Sequence, residues 1–160
     1  MYRKFLLCIL LVAFSLPMTA VADPSAVPDD KREQYKEKLR RYQHQFLTRE
    51  LGLSREEANK FFPVYDSMCD ELEQVGRDTR VLEQKTLNNT NASAVECENT
   101  ARALFEQKKT ESEIELRYFE QFRELLSPRQ LLQLKSAEDA FRRDVLKHFA
   151  RSRRENQEQR

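Results

Sequence analysis

The stretch Leu126-Ser127-Pro128-Arg129-Gln130 carries the clearest local signal in the sequence, because three features of a helix start coincide in it. Ser127 offers a hydroxyl to the first free amides of a helix, and Pro128 stands at the first helical position, where its missing N–H costs nothing. Gln130, at the third position, can bond back to the amide of Ser127. The stretch therefore predicts a helix that begins at Pro128.

A second helix start of the same form stands about 70 residues earlier, at Leu53-Ser54-Arg55-Glu56-Glu57. Ser54 is the expected cap and Glu57 the acid that bonds back to the cap's own amide, which together make a capping box. Gly52, immediately before it, suits the end of a preceding helix, because helices often end on a left-handed glycine. The phrases Arg49–Ser54 and Arg123–Ser127 are alike enough to hint at an internal duplication.

Apolar residues recur at helical spacing on both sides of these two starts. A first helix is expected from about Lys31 to Gly52, and a second from Ser54 onward with a bend at Pro63, whose ring and missing N–H disturb a helix interior. The apolar face of the first helix is Tyr35, Leu39, Tyr42 and Phe46. That of the second is Ala58, Phe61, Phe62, Tyr65, Met68, Leu72, Val75, Thr79 and Leu82.

Residues 88–93 favour turns, so the chain should reverse direction there before a third helix. The apolar positions of the third helix are Val95, Ala101, Leu104, Phe105, Ile114, Tyr118, Phe119, Phe122, Leu125 and Leu126. Those of the fourth are Leu131, Leu134, Ala137, Phe141, Val145 and Phe149. The predicted fold class is all-α, with long amphipathic helices in a single domain over residues 31–150 and a frayed polar tail over 151–160.

The first 22 residues have the three parts of a secretory signal peptide. Arg3 and Lys4 precede an apolar run from Phe5 to Leu16, and Ala20-Val21-Ala22 supplies the small residues of a cleavage site. The run is shorter than the roughly 20 residues that a membrane-spanning helix needs. We therefore expect export, cleavage after Ala22, no stable membrane insertion and a flexible leader over residues 23–30.

Charge and glycine content exclude two classes of partner. Cleavage after Ala22 removes two basic residues and leaves 26 basic against 27 acidic residues, so the mature chain is nearly neutral and does not resemble a nucleic-acid-binding protein. The whole chain has two glycines, too few for a glycine-rich phosphate-binding loop. No nucleotide or other cofactor is expected.

The two helix starts also carry a family resemblance. Leu126–Gln130 matches the motif Leu-Thr-x-x-Gln with serine in place of threonine, and Leu53–Glu57 is a second copy with glutamate in place of glutamine. The pair, on an exported helical chain, resembles the Spy/CpxP family of periplasmic stress proteins, which includes the zinc-resistance-associated proteins. The continuation Glu57–Tyr65 is similar to the version common in Bacteroidetes-type bacteria. The resemblance covers about residues 31–150 and implies a four-helix, bent hairpin that dimerises into a thin cradle.

A thin layer of long helices has much surface for its volume, so part of its apolar faces should stay accessible to a partner. Phenylalanine, methionine and arginine together make a permissive surface that can accept many unfolded or partly folded client proteins. The candidate apolar contacts are Phe61, Phe62, Met68, Phe119 and Phe122. The candidate charged contacts are Arg77, Arg80, Arg117 and Arg123.

No group of residues in the sequence has the pattern of an active site or a metal centre. Ser54, Glu57, Ser127 and Gln130 are explained as helix caps. His44 and His148, the two histidines, sit in no recognisable catalytic context. The acidic residues between Asp66 and Glu73 are interpreted as a solvated helix face. We expect neither an enzyme nor a metal site.

Cys69 and Cys97 are the cysteines that remain after cleavage, and an exported protein meets oxidising conditions. In a simple hairpin that turns near Asn91, Cys97 would lie opposite residue 85, about 24 Å along the helix from Cys69. A disulfide needs Cα atoms less than about 7 Å apart, so an intrachain bond is disfavoured. An intermolecular disulfide in a dimer stays open, as does a buried Cys69 with a free Cys97.

Three functions follow from these observations. The leading one is a periplasmic chaperone that shields exposed apolar segments of clients without ATP, as a homodimer. The second, implied by the CpxP side of the resemblance, is a regulator that docks on an envelope stress sensor or anti-sigma factor. Misfolded protein or metal would release it. Its candidate docking faces are the acidic stretch 66–73 and the basic stretch 142–154. The third is a helical hairpin with a structural role in an envelope complex.

Overall fold

A computed structural model describes residues 29–158, which form four α-helices joined by short connections. The helices are α1 (Asp29–Leu51), α2 (Arg55–Asn88), α3 (Ala94–Leu125) and α4 (Pro128–Glu158). No strand occurs among these residues, so the all-α fold class is confirmed. The predicted signal peptide over residues 1–22 and most of the predicted leader lie outside the described residues.

Two helix ends lie beyond the expected positions. α1 begins at Asp29, two residues inside the predicted leader, and α4 continues to Glu158, through most of the predicted polar tail. Residues 151–158 contain no glycine or proline and consist largely of arginine, glutamate and glutamine, which favour helix. Nothing in this stretch therefore stops the helix after Ala150.

α2 runs unbroken through Pro63. A proline in a helix interior removes one backbone hydrogen bond, here the one that would reach the carbonyl of Asn59. The Oγ of Ser67 donates to the carbonyl of Pro63 at 2.9 Å in the next turn. α2 continues past Pro63 as far as Asn88.

The described chain groups into two compact units, where the sequence predicts one domain over residues 31–150. The first unit contains α1, the start of α2 as far as Ala58, and α4. The second unit contains residues 59–126, which are the rest of α2 and the whole of α3.

In the first unit α1 and α4 pack as an antiparallel pair. Ring centroids lie 5.5 Å apart between Phe46 and Phe141, and 6.4 Å apart between Tyr35 and Phe149. Phe46, Phe141 and Val145 form one buried cluster of the core, against which Leu39, Tyr42 and Ala140 pack. The apolar stripe predicted for the first helix is therefore confirmed.

In the second unit α2 and α3 form a helical hairpin that reverses at residues 89–93. Near one end, the rings of Phe61 and Phe122 lie 5.2 Å apart. Near the turn, the hydroxyls of Thr86 and Thr100 share a hydrogen bond of 2.8 Å. The predicted reversal at residues 88–93 is confirmed.

The buried faces of α2 and α3 are narrower than predicted. On α2 the buried residues are Phe61, Tyr65, Met68, Leu72 and Gly76. On α3 they are Thr100, Ile114 and Phe122. Leu82, Val95, Phe105 and Phe119, all expected on the apolar faces, are exposed. Phe105 is nine residues from Ile114, which is two and a half helical turns, so the two side chains point in opposite directions.

Candidate protein-binding surfaces

The connection from α1 to α2 is fixed by two hydrogen-bonded motifs in succession. Gly52, at φ +61°, closes α1 in a Schellman motif, in which the Leu53 amide donates to the Thr48 carbonyl at 2.9 Å and the Gly52 amide to the Arg49 carbonyl at 3.3 Å. Ser54 then opens α2. Its amide donates to Glu57 Oε2 at 2.7 Å, and the Glu57 amide donates to Ser54 Oγ at 3.2 Å. Both bonds of the expected capping box are present.

α4 opens with the same pair of bonds. The Ser127 amide donates to Gln130 Oε1 at 2.8 Å, and the Gln130 amide donates to Ser127 Oγ at 3.3 Å. Pro128 is the first residue of the helix, and the preceding Leu126 is buried. The helix therefore starts where the sequence predicts.

The two capping boxes are joined to each other through their third helical residues. The Nε2 of Gln130 donates to Oε1 of Glu57 at 3.3 Å, within the first unit. Hydrogen bonds from Ser54 and then Gln130 hold the pKa of the Glu57 carboxyl below its ordinary value of 4.5. Glu57 and Gln130 are 73 residues apart in the sequence, so no local pattern predicts this contact. The motif residues therefore fasten the start of α2 to the start of α4.

A third capping box, which the sequence analysis missed, opens α3. Ser93 is the cap, its amide donating to Glu96 Oε2 at 2.7 Å and the Glu96 amide donating to Ser93 Oγ at 3.2 Å. The pattern Ser-x-x-Glu at 93–96 could have revealed it. The bonds from the Ser93 amide and side chain lower the pKa of Glu96.

Three of the five apolar residues proposed to contact clients belong instead to the core of the second unit. Phe61, Met68 and Phe122 are buried. Phe62 is half-buried, with its ring centroid 5.2 Å from that of Phe61. The expectation that these side chains are accessible is corrected for Phe61, Met68 and Phe122, because the faces of α2 and α3 that carry them pack on each other. Of the five, Phe119 alone is exposed.

The four candidate arginines are engaged in contacts within the second unit. Arg77 donates to Glu73 and to Gln74, and Arg80 donates to the carbonyl of Gly76. Arg117 donates to Glu71 across the hairpin, and Arg123 pairs with Glu120. Arg77, Arg117 and Arg123 remain exposed to solvent, so each could also contact a partner.

A row of exposed apolar side chains lies on α3 outside the core of the second unit. Phe105 is 78% exposed, Leu116 66% and Phe119 40%. Leu116 is eleven residues after Phe105, which is about three helical turns, and Phe119 is three residues after Leu116, which is about one turn. The three side chains therefore follow one line along the helix. We call Phe105, Leu116 and Phe119 the outer stripe. The apolar pattern of the sequence places Phe105 in the core and does not select Leu116.

Near the turn of the hairpin, a cleft of about 240 Å³ lies between α2 and α3. Four of its eight lining residues carry a hydroxyl or a side-chain amide, and Lys85 and Glu96 carry charges. The Glu96 carboxylate is already bonded to Ser93 as a helix cap. The residues lining the cleft are Leu82, Lys85, Thr86, Asn89, Ala92, Glu96, Asn99 and Thr100.

His148 lies beside a polar contact that joins α1 to α4. The Tyr42 hydroxyl donates to Oδ2 of Asp144, and the Nε2 of His148 is 3.7 Å from that oxygen. The bond to Asp144, then desolvation, raises the pKa of Tyr42 above its ordinary value of 10.0.

Cys69 is half-buried and Cys97 is exposed, and neither forms a disulfide among the described residues. The Thr86–Thr100 contact places residue 97 opposite about residue 89, twenty residues from Cys69. At 1.5 Å per residue this is about 30 Å, even farther than the sequence analysis inferred. The two thiols of one chain therefore cannot join while the hairpin is intact.

Residues 29–158 contain neither a grouped set of metal ligands nor a membrane-spanning segment. No three histidine, cysteine, aspartate or glutamate side chains in this range are grouped so that they could hold a metal ion. None of the four helices has a segment long and apolar enough to cross a membrane.

No protein-family model, no curated protein and no solved structure matches this chain.

Proposed function

We propose that this protein is an exported, ATP-independent chaperone of the Spy/CpxP type that binds exposed apolar segments of unfolded or partly folded proteins. The observation that carries the proposal is the outer stripe of α3. An aligned row of exposed apolar side chains on a hairpin that already has its own core is typical of a protein-binding surface.

The charged side chains around the outer stripe suit a binder of many different clients. Arg123 lies one helical turn beyond Phe119, and Lys109 lies one turn beyond Phe105. Both are exposed, and both pair with glutamates of the same helix, Glu120 and Glu113. Exposed ion pairs are weak, so these side chains can exchange partners at little cost when a client arrives.

Aggregation assays with substituted proteins test the proposal. The mature protein is added to a chemically denatured client enzyme, and light scattering follows aggregation. The triple substitution Phe105→Gln, Leu116→Gln and Phe119→Gln should abolish most of the suppression, since glutamine keeps the helix propensity but removes the apolar surface. Circular dichroism should show unchanged helix content.

Leu132→Gln is the matched control. Leu132 is 80% exposed on α4, in the first unit, so its substitution removes a similar apolar surface outside the outer stripe. It should leave suppression unchanged. If the wild-type protein fails to suppress aggregation at several-fold molar excess, or if the triple variant suppresses it fully, the proposed chaperone function is wrong.

Docking on an envelope stress sensor is the second candidate, and the segregation of charge favours it. Residues 142–154 contain six basic and one acidic residue, whereas residues 59–126 contain nine basic and fourteen acidic residues.

A regulator would change the output of an envelope-stress reporter when its gene is deleted, while the outer-stripe variant would leave that output as in the wild type. A chaperone would recover many partners in a pull-down, and a regulator or structural hairpin would recover one.

A further inference from the structure

The antiparallel pair of α1 and α4 brings two strongly basic segments together at one end of the first unit. Residues 31–41 contain six basic and two acidic residues, and residues 142–154 contain six basic and one acidic. The ring contact between Tyr35 and Phe149 and the contact between Tyr42 and Asp144 place the segments side by side. We call residues 31–41 and 142–154 together the basic end.

Much of this charge faces solvent. On α4 the exposed basic residues Arg143, Lys147 and Arg151 follow one another at intervals of four, with Arg154 three residues farther along. Residues at these intervals share one side of a helix. Within the described part of the chain, Arg143 and Lys147 form no ion pair with a carboxylate, so their charge is available to a partner.

Exposed apolar side chains stand next to the basic ones. Leu146 and Tyr35 are each 42% exposed, and Phe149 is 36% exposed. Leu146 lies one helical turn from Arg143, on the side of α4 away from the buried Phe141 and Val145. The outward side of the C-terminal part of α4 is therefore both basic and apolar.

We propose that the basic end binds the surface of an anionic phospholipid membrane, with α4 lying in the plane of the headgroups. Clustered lysine and arginine side chains attract anionic headgroups, while neighbouring apolar side chains enter the boundary with the acyl chains. An acidic protein surface would use the charges but would have no need of the exposed Leu146 beside them. This inference does not depend on the proposed chaperone function, because it uses a different unit of the chain from the outer stripe.

Vesicle sedimentation with the mature protein tests the proposal. Vesicles of phosphatidylcholine alone are compared with vesicles that contain about 30% phosphatidylglycerol, an anionic lipid. The protein should sediment with the anionic vesicles and not with the neutral ones, and salt at about 1 M should release it by screening. Sedimentation with neither kind of vesicle would overturn the proposal.

Charge-reversal variants locate the site. Arg143→Glu with Lys147→Glu should weaken binding to the anionic vesicles about tenfold or more. Lys85→Glu with Arg102→Glu makes the same change of net charge on exposed residues of the second unit, and should bind as the wild type does. Equal loss of binding in the two double variants would show an effect of net charge alone and would contradict the assignment to α4.

Leu146→Gln and a soluble acidic polymer separate a lipid surface from an acidic protein. The substitution keeps every charge but should weaken vesicle binding several-fold, since it removes an apolar side chain from the membrane boundary. Poly-glutamate should compete poorly with the vesicles. If Leu146→Gln binds vesicles normally and poly-glutamate displaces them at equal charge concentration, the basic end is a site for acidic polypeptides and the lipid proposal fails.

Discussion

The Nε2 of Gln130 donates a hydrogen bond of 3.3 Å to Oε1 of Glu57, so the third residue of α4 is bonded to the third residue of α2. Each of these side chains also accepts a bond from the amide of its own cap, Ser127 or Ser54. The Glu57 carboxylate and the Gln130 side-chain amide thus each take part in the cap of their own helix and also bond to each other.

Removal of either serine cap should destabilise the protein. Ser54→Ala and Ser127→Ala each leave a helix amide without its hydroxyl acceptor, at an expected cost of about 0.5–2 kcal/mol in the free energy of unfolding. Urea denaturation followed by circular dichroism would measure it. Ser136→Ala, an exposed position inside α4, is the control and should change stability by less than about 0.5 kcal/mol.

The bond between Gln130 and Glu57 should appear as a coupling energy. In a double-mutant cycle with Glu57→Ala and Gln130→Ala, the loss of stability in the double variant should be smaller than the sum of the two single losses, since each single substitution already removes the shared bond. The cycle uses the same urea measurement. Strictly additive effects would mean that the two side chains do not interact in solution.

Acid should weaken the protein through Glu57 and Glu96. The pKa of each carboxyl is lowered in the folded state by bonds from its serine cap, and for Glu57 also by Gln130. Their stabilising contribution is therefore complete above the ordinary value of 4.5 and is lost as the pH falls below it. The melting temperature should fall less steeply below this pH in Glu57→Gln than in the wild type, as scanning calorimetry would show.

Alkali should weaken the contact between α1 and α4. The bond to Asp144 raises the pKa of Tyr42, so the protonated phenol stabilises the fold below pH 10.0, and this contribution is lost as the pH rises above that value. Tyr42→Phe should cost about 0.5–1.5 kcal/mol at neutral pH by removal of the bond. Its stability should then decline less between neutral and strongly alkaline pH than that of the wild type.

Substitution of two phenylalanines separates the core of the second unit from its outer surface. Phe61→Ala removes a fully buried ring and should cost about 3–5 kcal/mol. Phe105→Ala removes an exposed ring and should change stability by no more than about 0.5 kcal/mol. A large loss of stability in Phe105→Ala would show that the outer stripe is buried in solution, for instance by a second copy of the chain.

The thiols should respond differently to oxidation. The intermolecular disulfide left open by the sequence should form through Cys97, which is exposed, rather than through the half-buried Cys69. Non-reducing electrophoresis of the oxidised protein should show a dimer that disappears in Cys97→Ser and persists in Cys69→Ser. Monomeric protein with an internal disulfide would contradict the hairpin, which separates the two residues by about 30 Å.

The helix starts could be predicted from the sequence because their causes are local. Ser54, Ser127 and the residues three positions later make the same hydrogen bonds in any helix that begins there. The stripe of α1 was equally clear, because Tyr35, Leu39, Tyr42 and Phe46 leave one choice of face. No local pattern could show that Glu57 and Gln130 meet, since that contact depends on the packing of α1 and α4.

The candidate binding residues were harder to predict, because composition does not say which apolar side chain is buried. α3 carries apolar residues around much of its circumference, so Phe105 and Ile114 look alike in the sequence although they face opposite ways. The half-buried positions of α3 include Gln107, Lys108 and Glu111, which an apolar pattern does not select. The orientation of α3 was therefore settled only by its packing on α2.

The connections next to the linked capping boxes have a practical consequence for engineering the chain. They contain three residues, Gly52–Ser54, and two residues, Leu126–Ser127, and most of these take part in helix-ending or helix-starting bonds. An inserted epitope or fluorescent domain would separate a cap from its helix at either place. The turn at residues 89–92 is mainly exposed and lies outside the capping box of α3, so it is the position where foreign sequence should be accommodated.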